Sequence, residues 1–141
     1  MADPVTVRDT AAMIAGMAPK LQDGSYIFCT TGTDADAARH APHAIATFRE
    51  REGLSLLLPI ERAAAFGFDC ALPMRHITLT VFSSLDGVGM TAAVSAALAR
   101  HGIACNMVAA HHHDHVFVPA SQAAAAMALL AALADGPPDG S

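Results

Sequence analysis

The fold is decided by Met74-Arg-His-Ile-Thr-Leu-Thr-Val-Phe82, then Ser83-Ser-Leu-Asp-Gly-Val-Gly89, then Met90-Thr-Ala-Ala-Val-Ser-Ala-Ala-Leu-Ala99. In the first segment Ile77, Leu79 and Val81 alternate with polar residues, the period of a half-buried strand. The second is a turn. In the third, Met90, Val94, Ala97 and Leu98 recur at helical spacing, and Gly102 supplies a residue that can end a helix in the left-handed region. Downstream, Ile103 to Ala110 and His115 to Val118 read as two strands, with the His-rich segment between them as the tip or rungs of a hairpin. Pro119 and Ser121 open a last helix with the stripe Ala126, Leu129, Leu130 and Leu133, which Gly136-Pro137-Pro138 terminates. The second half is thus β-α-β-β-α, one strand short of the ferredoxin-like unit.

Upstream, a helix is expected from about Val7 to Ala18, with Thr6 as N-cap and Asp9 three residues on. Ile14, Met17, Ala18 and Leu21 form its apolar face, and Pro19 and Gly24 end it. A strand over Tyr26–Thr30 and a loop over Thr31–His43 follow. Strands over Ala44–Arg49 and Leu54–Leu58 then flank a hairpin turn at Glu50–Gly53, and a helix begins at Pro59 and stops before Gly67. The first half therefore counts α-β-β-β-α, and its spare strand is available to complete the sheet of the second.

Composition restricts the function classes. The 141 residues are 53% hydrophobic, but with six Phe, one Tyr and no Trp the core must be aliphatic and alanine-rich. Such a core suits close helix-on-sheet packing. The net charge of −5 and the lack of a Lys/Arg run disfavour a nucleic-acid partner. The longest apolar stretch, Ala123–Ala134, is shorter than the roughly 20 residues a membrane span needs, so no membrane role is expected. The start, Met1-Ala-Asp-Pro4, lacks the basic and apolar regions of a signal peptide. Cys29, Cys70 and Cys105 have no metal-like spacing and read as buried free thiols in a reducing cytoplasm.

Three segments of the second half resemble the small stand-alone ACT-domain proteins of bacteria: Ile77–Val94, Gly102–Ala110 and His113–Pro119. Gly24-Ser-Tyr-Ile-Phe-Cys29 and Phe48-Arg-Glu-Arg-Glu-Gly-Leu-Ser-Leu-Leu-Leu-Pro59 are similar to the first half of the same family. The resemblance implies an α+β protein of two ferredoxin-like (ACT-like, βαββαβ-type) halves, with antiparallel sheets and helices packed on one face. The division it suggests is an N-terminal half over 1–72, a C-terminal ACT domain over 73–136 and a disordered tail over 137–141. It also implies a homodimer and an amino acid or other small ligand bound between two copies. The ligand contacts implied are Ser84, Leu85, Asp86, Gly87, Val88, Gly89 and Met90, with Asn106 on the strand after the helix.

Each feature also has a plainer reading. Glycines at a strand-to-helix turn let backbone N–H groups approach an anion such as an α-carboxylate, and the helix N-terminus favours negative charge there. Alternatively, Asp86 is an N-cap and the glycines only shape the turn. Asn106, expected to be buried, bonds either backbone groups or a ligand. In an extended His111-His-His-Asp-His115, His111, His113 and His115 would share one face and could bind a metal; a structural or interface role for the hairpin is the alternative. The cluster Arg49-Glu-Arg-Glu52 is either a solvated turn or an ion-pair network at a dimer contact. No nucleophile elbow, phosphate loop or metal-hydrolase motif is present, so no enzyme and no cofactor are expected. The expectation is a cytoplasmic amino-acid-binding regulatory module acting in trans. The alternatives are a metal-binding protein using the His cluster, or a structural dimer whose ligand site has lapsed.

Overall fold

The computed structural model describes residues 9–81, 85 and 87–136. Eleven elements follow in order: α1 (Thr10–Ala15), β1 (Pro19–Thr30), α2 (Asp34–His40), β2 (Ala46–Glu50), β3 (Gly53–Pro59), α3 (Ile60–Ala65), β4 (Met74–Leu79), α4 (Met90–Ala99), β5 (Asn106–Ala109), β6 (Asp114–Pro119) and α5 (Ala123–Ala134). They form two compact units. A terminal unit takes residues 1–22 and 76–141, and an internal unit takes 23–75.

In the internal unit the strand order is β2-β3-β1, both pairings antiparallel, with Phe28 opposite Leu57 and Phe48 opposite Ser55. Ile27, Leu56, Leu58 and Ala63 form its core. The region expected as a loop over Thr31–His43 holds α2 and a 3-10 turn (Ala41–His43). No apolar stripe announces this helix. It forms because Thr33 caps it by accepting from the Asp36 N–H at 3.1 Å. Asp34 and Asp36 lie in its first turn and Arg39 and His40 in its last, matching the helix dipole. With α2 in place, the internal unit reads β-α-β-β-α rather than α-β-β-β-α.

The terminal unit repeats that order from β4 onward. Its strand order is β1-β4-β6-β5, with β1 contributing residues 19–22. Those residues occupy the place of the strand that the second half lacked. The expected helix over 7–18 is only six residues long: Asp9 caps it through the Ala12 N–H at 2.8 Å, and Gly16 ends it. Thr6 lies outside the described residues. Pro19 opens β1, a position where a strand tolerates proline, so the segment read as helix terminator starts a twelve-residue strand.

Ile77 and Leu79 of β4, Val116 and Val118 of β6, Val94 and Leu98 of α4, and Ala126 and Leu130 of α5 make one core, with Met13 and Met17 from the start of the chain. The stripe expected for α4 (Met90, Val94, Ala97 and Leu98) is the buried set of that helix. All three helices thus cover one sheet face. The other face carries His76, Thr78, His115 and Phe117. No helix among the described residues is long and apolar enough to cross a membrane.

Candidate functional site

The connection from β4 to α4 ends at Gly89, which takes φ +98° and occupies the N-cap with no side-chain capping bond. The capping role expected of Asp86 therefore falls to Gly89 (Asp86 and Ser84 lie outside the described residues). The Thr10 hydroxyl donates to the Val88 carbonyl and packs behind the turn. A Cβ added to Gly89 would stand 2.8 Å from Thr10 Cγ2, so both conformation and space call for glycine.

Leu85, Gly87, Gly89 and Met90 line one side of a cavity of about 150 Å³. Ala109 and Asp114, directly paired across the β5–β6 hairpin, line another side. That is room for several water-sized groups but not for a large ligand. The arrangement sets two opposite electrostatic features against one space. The N-terminus of a ten-residue helix, whose Gly89 N-cap makes no side-chain capping bond, favours an anion. The Asp114 carboxylate favours a cation. An α-amino acid carries both charges on adjacent atoms.

Four of the expected contacts thus share one cavity. Val88 is described but does not line it, and its side chain is 76% exposed. Asn106 was expected to be buried and is instead exposed on edge strand β5. Its Nδ2 donates to the Phe117 carbonyl at 3.3 Å, which satisfies it within the hairpin. Asp114 was read only as part of the His run. Its place beside the cavity follows from the hairpin register, which nothing local in the sequence states.

The internal unit has a cavity at the corresponding place, about 670 Å³, between the Thr31–Asp34 turn and the β2–β3 hairpin. Arg49, Glu50, Arg51 and Glu52 line it, so the cluster read as a solvated turn borders a cavity of mixed charge.

The His run does not form one extended face. His111 and His112 lie in the hairpin tip, between β5 and β6. His113 Nδ1 is 3.3 Å from the Val81 carbonyl, and His115 pairs instead with His76. Among the described residues no three His, Cys, Asp or Glu side chains are grouped to hold a metal ion. His115 Nδ1 lies 2.8 Å from His76 Nε2, and Thr78 Oγ1 lies 3.3 Å from both. Gln22 Nε2 donates to Thr78 Oγ1 at 3.0 Å, and the His76 ring stacks on Phe117 at 4.7 Å. Burial, then the neighbouring His115, lowers the His76 pKa to about 4. Burial and His113 lower that of His115, with Asp114 opposing. His76 was missed in the sequence, where its i, i+2 spacing with Thr78 on an alternating strand is the only signal. All three cysteines are free and partly buried.

The fold and site define a tandem α+β protein with ferredoxin-like halves and a cavity at the strand-to-helix turn of each. ACT domain matches cover residues 6–75 and 72–132, and the chain belongs to the ACT-domain family. ACT domains are regulatory modules that generally bind small ligands such as amino acids. Among solved structures, a Vibrio cholerae protein of unknown function, named as a possible transport protein, is 40% identical over 86% of this chain and 93% of its own, with a TM-score of 0.75. An Agrobacterium tumefaciens protein is 20% identical over 82% of this chain and 87% of its own (TM-score 0.60). One chain from a crystal structure of aspartokinase alpha and beta subunits is 12% identical over 79% of this chain and 93% of its own (TM-score 0.57); these last two likenesses are of fold alone. No curated protein matches the sequence significantly.

Proposed function

We propose that this protein is a non-catalytic amino-acid sensor, cytoplasmic and homodimeric, which regulates a partner in trans. One observation carries the reading: the N-terminal residues of α4 and Asp114 line the same cavity. In this scheme the ligand's carboxylate accepts from backbone N–H groups between Gly87 and Thr91, and its ammonium group donates to Asp114. Ser84 and Asp86 enter this reading through the family resemblance alone, and Val88 faces the second copy. The cavity's small volume leaves the ligand's side chain to that second copy, so occupancy shifts the dimer. The larger cavity of the internal unit, with arginines and glutamates at its rim, suits a second zwitterion.

The test is a thermal-shift screen of the untagged protein against the amino acids, with and without EDTA. A specific ligand at a hundredfold excess over its Kd stabilises by about 2.7 kcal/mol. Asp114→Asn and Gly89→Val should lose the response, whereas Arg49→Gln should lose it only if the internal cavity is the one occupied. No response to any amino acid, or an undiminished response in Asp114→Asn, refutes the reading.

A further inference from the structure

We propose that His76 and His115 form a two-histidine chelate for a late first-row divalent ion such as Cu²⁺ or Ni²⁺, on the sheet face opposite α1, α4 and α5. The three polar atoms His76 Nε2, His115 Nδ1 and Thr78 Oγ1 form a triangle with sides of 2.8, 3.3 and 3.3 Å. An ion about 2.0–2.1 Å from each of two imidazole nitrogens, at the near-90° angle of a tetragonal Cu²⁺ or Ni²⁺ site, sets those nitrogens roughly 2.9 Å apart. The pair already has nearly that spacing, from adjacent strands β4 and β6.

The His76 ring is stacked on Phe117, and the Thr78 hydroxyl is held by Gln22. Groups so held lose little rotamer freedom on binding an ion. Neutral imidazole is the form that ligates a metal. One of the two nitrogens carries the hydrogen of the contact between them. On binding, that ring moves its proton to its other nitrogen, so both lone pairs meet the ion and no net proton is released near neutral pH. Thr78 Oγ1 and water fill further positions, and imidazole ligation selects Cu²⁺, Ni²⁺ and Zn²⁺ over Mg²⁺. His113 and Asp114 flank His115 on the same hairpin, and their charges act on the site without closing it.

The experiment is calorimetric titration of the untagged chain with Cu²⁺, Ni²⁺ and Mg²⁺, made in a His111→Gln/His112→Gln background to remove the exposed tip. One ion per chain is expected, tightest for Cu²⁺ and absent for Mg²⁺. Further replacement by His76→Gln or His115→Gln should weaken binding at least tenfold. Electron paramagnetic resonance of the Cu²⁺ form, on the background protein without those replacements, should show two coupled imidazole nitrogens, which keeps the test decisive if a variant fails to fold. Loss of all binding in the background protein, unchanged affinity in His76→Gln and His115→Gln, or a spectrum with fewer than two nitrogens would overturn the proposal.

Discussion

Gly53 and Thr31 approach so closely that no side chain fits between them: a Cβ on Gly53 would lie 1.9 Å from the Thr31 carbonyl oxygen. The contact fastens the start of β3 beside the end of β1, where the Thr31 N–H donates to the Leu54 carbonyl at 3.1 Å and the Thr31 hydroxyl to the same oxygen at 3.2 Å. Gly53 also takes φ +149°. Gly53→Ala should therefore cost about 3 kcal/mol or more, through backbone displacement as well as strain. A urea midpoint within error of wild type would show that the hairpin yields freely. At Gly24 (φ +82°) a Cβ meets nothing within 4 Å, so Gly24→Ala should cost only the conformational strain, about 1 kcal/mol.

Stability should fall on mild acidification. The His76 and His115 pKa values are depressed in the folded state, so the unfolded chain binds more protons as pH drops. Their contribution is intact above about pH 6.5 and is lost progressively as pH falls toward the folded value of about 4 for His76. Because both rings are partly open to water, the loss is on the order of 1–2 kcal/mol. Urea unfolding in EDTA at pH 7 and pH 4.5 checks this, with His76→Gln/His115→Gln as control for the carboxylates. The double variant should lose less stability than wild type over that interval, and equal losses would contradict the assignment.

Leu98 and Leu130, from α4 and α5, are both fully buried in the terminal core. Truncating either to Ala should cost about 2–5 kcal/mol, since close-packed helices refill such a space only in part. Leu72 is 63% exposed, and Leu72→Ser should change stability by less than about 0.5 kcal/mol. Chemical denaturation of the three variants tests the contrast.

Burial, with Cys70 adding to it, pushes the Cys29 thiol up to about 11, and burial raises Cys105 as well. At pH 8 only about one Cys29 in a thousand is thiolate. Mass spectrometry after brief iodoacetamide treatment should find Cys29 and Cys105 unmodified in the native protein and both alkylated in urea. Rapid native labelling of either would mean a more open environment.

Elements with strong periodicity could be read directly. The alternation of Ile77 and Leu79 and the stripe of Met90, Val94, Ala97 and Leu98 record burial on one face, and burial is what selects those residue types. The helix α2 could not be read this way. Its stability comes from Thr33 and a charge pattern, and it buries only His40. The long strand β1 was hidden because Pro19 and Gly24 carry the local signals of chain reversal, which the ladder on either side overrides.

The sequence alone determined the β-α-β-β-α order of the second half, the family, and the glycine turn before α4. Each rests on interactions between residues close in the chain, which leave a periodic or local mark. Tertiary structure decided that residues 19–22 supply the strand beside β4, that Asp114 faces the same cavity as Gly89, and that His115 meets His76 instead of His113. Those pairings depend on register between strands far apart in the chain. A register shift of one residue turns every side chain to the opposite face, and no local signal in the sequence specifies which register forms.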